Sequence, residues 1–284
     1  MYPYNIFGDF DLYTICITLG AVLCILLFRL LSDRTGLSAR LTNLALGGGF
    51  VGIAVGFGSA VLFQAFYDYL AGAGFYLDAA TGSTFYGGLI GGALGFLLVY
   101  FIGGHVAFPK KEHLFSFFTV TGMVAASITL AHGFGRVGCF LVGCCHGIET
   151  SSPLGLYFPA LDARVYPTQL YEALFLFLMT AFLVFRALRA KSDGLPIYLV
   201  GYGAFRYVIE FLRGDDRGAS PVPFLSPSQL TALVLVAVGM FLFWLEARLQ
   251  KSAPPAFEIL EETADEPGDT TTATAEDAHG EGEA

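Results

Sequence analysis

Charged side chains are scarce in this sequence. Only 14% of its 284 residues are Asp, Glu, Lys or Arg, whereas 55% are hydrophobic and the mean hydropathy is +0.64. A water-soluble domain needs a mostly polar surface, so this composition excludes a soluble fold for most of the chain. It indicates an integral membrane protein.

Lys and Arg are missing from both ends of the chain. The first eleven residues contain two Asp and no basic residue, so we expect no cleavable signal peptide and a first hydrophobic span that stays attached. After Ser252 there are ten acidic residues, no basic ones and few large apolar side chains. Such a segment cannot bury enough surface to offset the entropy lost on ordering. We therefore expect a membrane domain over 1–252 and a disordered acidic tail over 253–284.

Seven apolar stretches come close to the roughly 20 residues that a helix needs to cross a bilayer. They predict an all-α polytopic membrane protein, and the absence of a strong internal repeat weighs against a transporter built from two related halves. The predicted spans are Leu12–Leu31, Leu41–Phe66, Phe85–Phe101, Leu114–Ala131, Leu170–Leu188, Pro196–Leu212 and Leu230–Leu245.

The distribution of positive charge predicts the orientation, because Lys and Arg accumulate in cytoplasmic loops. Ten of the 15 basic residues follow the first, third, fifth or seventh span, four lie on the other side and Arg206 lies within the sixth span. We therefore expect the N-terminus outside and the C-terminus in the cytoplasm.

Glycines recur at four-residue spacing in the second and third spans. Small residues at that interval let helix backbones approach closely in lipid, so they predict tight helix packing. The glycines concerned are Gly48, Gly52, Gly56, Gly87, Gly91 and Gly95.

The sixth span contains ionisable residues where lipid should exclude them. Tyr202, Arg206 and Glu210 are spaced four apart, so they share one helical face and the last two can form an ion pair. A charge within a span is costly and is a functional hypothesis by default. The alternative is a neutralised pair that only joins helices.

A second cluster follows the fourth span in the segment HGFGRVGCFLVGCCHG. Its glycines predict a loop that folds back towards the membrane, with Arg136 among them. Arg136 and Arg206 would then share one site. Because the planar guanidinium suits phosphate recognition, the expected ligand is a phospholipid head group.

Polar residues also mark the starts of other spans. In YPTQLYEALF, Gln169 and Glu172 begin the fifth span, where Glu172 either contributes to a site or only complements the positive helix end. Tyr86 begins the third span and Tyr13 the first; each is either a site residue or an interfacial anchor.

Cysteines cluster after the fourth span. Cys139, Cys144 and Cys145 precede His146, but the C-x4-C-C-H spacing lacks the C-x2-C pairs common in zinc sites. A disulfide on an oxidising outer face, apolar packing and a thiol lining the site are the other interpretations. We expect no metal.

Four segments, taken in order, resemble the prolipoprotein diacylglyceryl transferase family of bacterial inner-membrane enzymes. The resemblance extends from about Asp11 to Trp244 and leaves out only the acidic tail. The segments are YGGLIG, GRVGCFLVGCCHG, YPTQLYEALF and GYGAFRYVIEFLRG.

The resemblance implies a reaction in lipoprotein biosynthesis. Such enzymes transfer the diacylglyceryl group of phosphatidylglycerol to the thiol of a lipobox cysteine in a prolipoprotein signal peptide and release glycerol 1-phosphate. It implies a multi-pass inner-membrane transferase that needs no cofactor and has no nucleic-acid partner. A thiolate must displace a phosphate ester at carbon, so cations should bear the charge of the leaving phosphate.

The resemblance also implies which residues form the site. The expected catalytic residues are Arg136, Arg206, Glu210 and Tyr86. The expected substrate-binding residues are Arg136, Arg206, Tyr13, Tyr202, Gly147, Gln169, Glu172, Cys139 and Cys144.

Three positions depart from the family pattern. Tyr86 stands where many members have His, Cys139 where they have Asn and Cys144 where they have Glu. A tyrosine with a pKa near 10 is a poor base, so we expect Tyr86 to position substrate and Glu210 or water to take the thiol proton.

The departures leave other functions open. One alternative is a related transferase acting on another acceptor, and another is a protein that binds or flips phospholipid without chemistry. A purely structural membrane subunit would leave Arg206 unexplained.

Overall fold

The computed structural model describes residues 5–7, 10–70, 72, 74–77, 81, 84–214 and 224–252, of which 5–7, 10, 85, 86 and 250–252 are described for the backbone alone. The chain divides into two units, Met1–Trp244 and Leu245–Ala284. The first contains six complete spans and most of the seventh. In the second unit only residues 245–252 are described, and they are helical. The predicted tail lies outside the described residues.

Seven helices of the described chain are long and apolar enough to cross a membrane, as predicted. The third is interrupted by a π-helical turn, Val99–Gly103, and the sixth continues into a 3-10 turn, Glu210–Leu212. The protein is therefore a multi-pass helical membrane protein. The helices are α1 Leu12–Thr35, α2 Ala39–Leu70, α3 Phe85–Leu98, α4 Gly104–Ala107, α5 Glu112–Phe115, α6 Phe117–Val142, α7 Thr168–Leu188, α8 Gly194–Ile209 and α9 Pro227–Ser252.

Two short hairpins add to the predicted helices. Strand β1 (Asn5–Phe7) pairs with β2 (Phe10–Asp11), and β3 (Leu156–Phe158) pairs with β4 (Ala163–Val165). They were not predicted, because segments of two or three residues carry no usable alternation of polar and apolar side chains. Both lie outside the spans, so the membrane part is all-α.

Helix α6 is longer than predicted and corrects one expectation. We expected the fourth span to end at Ala131 and a glycine-rich loop to follow, but the helix continues to Val142 and ends at Gly143, whose φ is +83°. Its glycines serve close packing. A Cβ on Gly133 would lie 2.6 Å from the ring of Phe177, and one on Gly138 would lie 3.1 Å from Tyr13. Neighbouring helices thus hold this segment helical despite its low helix propensity.

Helix α6 is also the most enclosed span. Buried residues make up 56% of its apolar window and at most 33% of any other span's. It packs against α1, α7 and α8. Side chains that project from α6 near its end therefore meet three other helices, and the polar residues collect there.

Helices α2 and α3 form a separate tight pair, as the glycine spacing predicted. A Cβ on Gly52 would lie 2.9 Å from the Gly92 oxygen, and one on Gly56 would lie 3.0 Å from the Gly88 oxygen. Only glycine permits this approach, and it brings the backbones close enough for extensive contact in lipid.

Candidate active site

Glu172 is the centre of the polar cluster. It lies one turn into α7 and is 0% exposed. Its Oε2 lies 3.0 Å from Arg136 Nε and 3.9 Å from Arg206 Nη1, while its Oε1 accepts a 2.8 Å hydrogen bond from the Tyr202 hydroxyl and lies 3.7 Å from His132 Nε2. Residues of α6 and α8 thus meet at one carboxylate of α7.

Arg206 pairs with Glu210, as the four-residue spacing predicted. Its Nη2 lies 2.7 Å from Glu210 Oε2 and donates a 3.0 Å hydrogen bond to the Ser228 hydroxyl. The other oxygen of Glu210 accepts a 2.9 Å hydrogen bond from Ser226. Both oxygens of Glu210 are therefore engaged, which leaves this carboxylate poorly placed to act as a base.

Arg136 is held differently from Arg206. Its ion pair uses Nε, and no ion pair among the described residues engages its two terminal nitrogens. Its side chain is 18% exposed, against 0% for Glu172. The guanidinium fork can therefore meet an anion that approaches from the open side, because each terminal nitrogen carries two N–H donors.

The charges of the cluster balance. Two guanidinium groups, of Arg136 and Arg206, face two carboxylates, of Glu172 and Glu210. Without Glu172 the two cations would repel each other in a medium that screens charge poorly. Glu172 therefore holds both arginines near one point.

The loop after α6 is hydrogen-bonded to side chains at the start of α7. Gln169 donates a short hydrogen bond from Nε2 to the Cys144 carbonyl, and the Thr168 hydroxyl donates a 3.0 Å bond to the Cys145 carbonyl. Both α7 side chains are fully buried. The contact shown for Gln169 thus fixes the loop backbone.

Gly147 lies where this loop meets the chain after α8. Its backbone forms an isolated antiparallel β-bridge with Arg213. A Cβ on Gly147 would lie 2.5 Å from the Leu212 oxygen and 2.8 Å from Tyr166. Since a side chain does not fit, Gly147 shapes the loop by allowing close backbone approach.

Three thiols lie beside the arginine cluster. The sulfur atoms of Cys139, Cys144 and Cys145 lie within 4.8 Å of one another, and all three residues are free cysteines. Hydrogen bonds from Cys139 and Cys144, with a smaller contribution from Arg213, lower the pKa of Cys145 below its usual range. Tyr13, on the first turn of α1, packs against the same end of α6 and is 38% exposed.

The structure brings most of the predicted site residues to one end of α6, α7 and α8. Tyr86 is the exception, since its backbone begins α3 but its side chain lies outside the described residues. Its expected role stays a prediction.

Sequence reasoning missed four polar neighbours of the site. His132 is an ionisable residue one turn before Arg136, and it was overlooked because the span was ended at Ala131. Ser226 and Ser228 are small polar residues next to a proline, with no pattern that ties them to Glu210 or Arg206. Arg213 was counted only as a loop charge, yet it is 8% exposed.

Comparison with known proteins gives a consistent result. A family model for prolipoprotein diacylglyceryl transferase matches residues 5–245. Phosphatidylglycerol–prolipoprotein diacylglyceryl transferase of Clostridium tetani is 36% identical over 173 residues, which cover 58% of this chain and 65% of the relative. The relative from Clostridium perfringens, named transferase 2, is 34% identical over 173 residues, or 58% of this chain and 63% of the relative.

A third relative, from Chlorobaculum tepidum, is 32% identical over 180 residues, or 60% of this chain and 58% of the relative. The chain thus spans 58–65% of the length of these curated relatives. The family match, in contrast, extends over six complete spans, most of the seventh and every residue of the polar cluster. The chain therefore belongs to the prolipoprotein diacylglyceryl transferase family.

Proposed function

We propose that this protein transfers the diacylglyceryl group of phosphatidylglycerol to the cysteine thiol of a prolipoprotein and releases glycerol 1-phosphate. The names of the curated relatives support the substrates. The observation that carries the proposal is the meeting of Arg136 and Arg206, from two different helices, at the single carboxylate of Glu172. Two buried guanidinium groups lie close together, and the terminal nitrogens of Arg136 remain available to an incoming anion. This arrangement suits the binding of one lipid phosphate.

The arginines act on the charge that develops during the reaction. The phosphodiester of phosphatidylglycerol carries one negative charge, and the departing glycerol phosphate gains a second as the carbon–oxygen bond breaks. Contacts to that oxygen strengthen in the transition state, which is the requirement for catalysis rather than mere binding. Arg136 provides the open N–H groups, and Arg206 adds a fixed positive charge.

The other predicted residues position these two cations or the substrates. Glu172, Glu210 and Tyr202 orient the arginines through the contacts described above. Tyr13 contacts the acyl chains or the glyceryl group, and Tyr86 orients the substrate by hydrogen bonding. Gln169 and Gly147 fix the loop that follows α6.

The proposal is tested with purified protein, phosphatidylglycerol labelled in its head group, and a lipobox peptide. The wild type should release labelled glycerol phosphate, and Arg136→Ala and Arg206→Ala should each reduce release by at least about 100-fold. Arg164→Ala is a matched control, because Arg164 is exposed and bonds the Gly155 carbonyl instead. Saturable lipid binding without product in the wild type would instead indicate a binding or flipping protein.

The acceptor is proposed to be a lipobox cysteine. Because Cys139 and Cys144 depart from the family pattern, the same assay should include a peptide with the cysteine replaced by serine and a cysteine peptide without a lipobox. Transfer only to the lipobox cysteine supports the proposal, whereas equal transfer to the second peptide identifies a related transferase with another acceptor.

We further propose that the protein lies in a bacterial inner membrane with its N-terminus and site outside and its C-terminal tail, over 253–284, disordered in the cytoplasm. The support is the excess of Lys and Arg after odd-numbered spans. A phosphatase fused to the C-terminus should be inactive and a fluorescent protein at the same position should be bright. The reverse pattern would overturn the orientation.

A further inference from the structure

The function proposed above gives no chemical role to the cluster of Cys139, Cys144 and Cys145. Cys139 lies in the last turn of α6, and the other two begin the loop that follows. All three sulfur atoms lie within 4.8 Å of one another, with Cys144 exposed and the other two partly buried. Three thiols gathered at one surface-accessible point form a potential chelating group.

The backbone around these thiols is held in an unusual conformation. Cys145 has a φ of +61°, in the left-handed region that a non-glycine residue seldom adopts. Buried side chains of α7 bind the carbonyls of Cys144 and Cys145, and the Cys144 amide donates a 3.1 Å hydrogen bond to the Cys139 carbonyl. Such strain persists only where the surroundings impose it, and here the hydrogen bonds from α7 hold the backbone of the cluster.

The geometry is close to that of a zinc centre. With zinc–sulfur bonds of about 2.3 Å, sulfur atoms in a tetrahedral site lie about 3.8 Å apart, so small rotations of these side chains would bring all three within range. His146 does not join the cluster, because its Nδ1 lies 3.1 Å from the Gly147 carbonyl and its ring packs on Phe158. Zinc sites with three protein ligands keep the fourth position open for a reactant.

We propose that Cys139, Cys144 and Cys145 bind one Zn²⁺ and that the open fourth position binds the acceptor cysteine as its thiolate. The proposal rests on the proposed function, since it names the group that activates the acceptor. It replaces our sequence-based expectation of no metal. It also provides a way to deprotonate the acceptor thiol that does not depend on Glu210, whose two oxygens are engaged by Arg206 and Ser226.

When the acceptor sulfur binds zinc, its proton is released to water, because a coordinating thiol is deprotonated. The sulfur then attacks the glyceryl carbon that bears the phosphate ester. A carbon–sulfur bond forms, the carbon–oxygen bond breaks, and its electron pair stays on the phosphate oxygen of the departing glycerol 1-phosphate. Cys139 lies three residues after Arg136 on the same helix, so thiolate and phosphate are held about one helical turn apart.

Metal content provides the first test. The full chain, purified without chelators and with reductant, should contain about one zinc per protein by elemental analysis. Cys139→Ser, Cys144→Ser and Cys145→Ser should each lose most of it, while Cys24→Ser, a change within α1, should retain it. Cys144 is exposed, so its variant should fold normally even if Cys139→Ser does not. A metal-free wild type would overturn the proposal. So would a disulfide, revealed by the loss of two titratable thiols in denatured protein that was prepared without reductant.

Cobalt substitution tests the open position independently of activity. Co²⁺ bound to three thiolates should give a near-ultraviolet charge-transfer band that is absent in Cys144→Ser. A lipobox peptide should increase this band, because it adds a fourth sulfur ligand, whereas the same peptide with serine should leave it unchanged. An unchanged band with the cysteine peptide would overturn the role of the metal in acceptor binding.

The transfer assay separates failure of this inference from failure of the proposed function. Zinc removal by a chelator should stop transfer, and added Zn²⁺ should restore it. Full transfer by a zinc-free Cys144→Ser protein would overturn the zinc proposal and leave the transferase intact. Zinc-loaded protein that never releases glycerol phosphate, with any cysteine peptide, would overturn the transferase and with it the acceptor role of the metal.

Discussion

Replacement of Glu172 by Gln removes one charge and little volume from the centre of the site. The amide oxygen can still accept the Tyr202 hydrogen bond, but the 3.0 Å ion pair with Arg136 and the 3.9 Å contact with Arg206 lose their attraction. Breaking a buried ion pair on one side costs about 3–5 kcal/mol, because the partner charge is left without compensation. Two cations depend on this carboxylate, so we expect the full effect.

At about 3–5 kcal/mol, the midpoint of thermal unfolding should fall by roughly 6–20 °C for a chain of this size. Transfer should fall about 100-fold as well, since a displacement of about 1 Å of a positioned group has that effect. Thermal unfolding in detergent and release of labelled glycerol phosphate measure the two changes. Glu112→Gln is the control, because Glu112 is an exposed residue of α5.

A double variant tests the physical reason. If repulsion between the arginines causes the loss, Arg136→Met combined with Glu172→Gln should be more stable than Glu172→Gln alone, by about 1–3 kcal/mol. If Glu172→Gln alone has the stability and the transfer rate of the wild type, the central role of Glu172 is refuted.

Two further predictions concern the loop and the neighbouring helix. Gly147→Ala should reduce transfer, because its Cβ would lie 2.5 Å from the Leu212 oxygen, whereas Gly58→Ala, with nothing within 4 Å, should have no effect in the same assay. His132→Phe should preserve the edge-to-face packing on Tyr202, at 5.2 Å between ring centres, and therefore the unfolding temperature. It should lower transfer about tenfold by removing the imidazole contact to Glu172. A lower unfolding temperature with an unchanged transfer rate would show that the ring contributes only packing.

The spans were predictable because hydrocarbon thickness imposes a length and a composition that no tertiary contact overrides. All seven were found, and Arg206 with Glu210 was paired by helical spacing alone. The meeting of Arg206 with Arg136 was inferred from the chemistry of the residues rather than from their spacing, and its mediator, Glu172, was left between two interpretations. Long-range contacts between helices leave no periodic signal in a single sequence.

The main error of the sequence prediction was the position at which α6 ends. Glycine has a low helix propensity, so the segment around Arg136 resembled a loop. In lipid the same glycines allow α1 and α7 to pack closely against α6, and α6 therefore continues as a helix. The proximity of the three cysteine sulfur atoms could not be predicted either, because Cys139 lies in the last turn of a helix and Cys145 adopts a left-handed conformation, and their spacing matches no common motif.

The carboxylate shared by two arginines also has a consequence for how the chain enters the membrane during synthesis. A charged residue within a lone span costs up to roughly 2.5–3.5 kcal/mol on insertion scales, with the largest cost at the centre of the span. Helices α6, α7 and α8 are consecutive in the chain and emerge from the ribosome in the order cation, anion, cation. We expect them to leave the insertion machinery as one group, with α6 retained until α7 supplies the counter-charge.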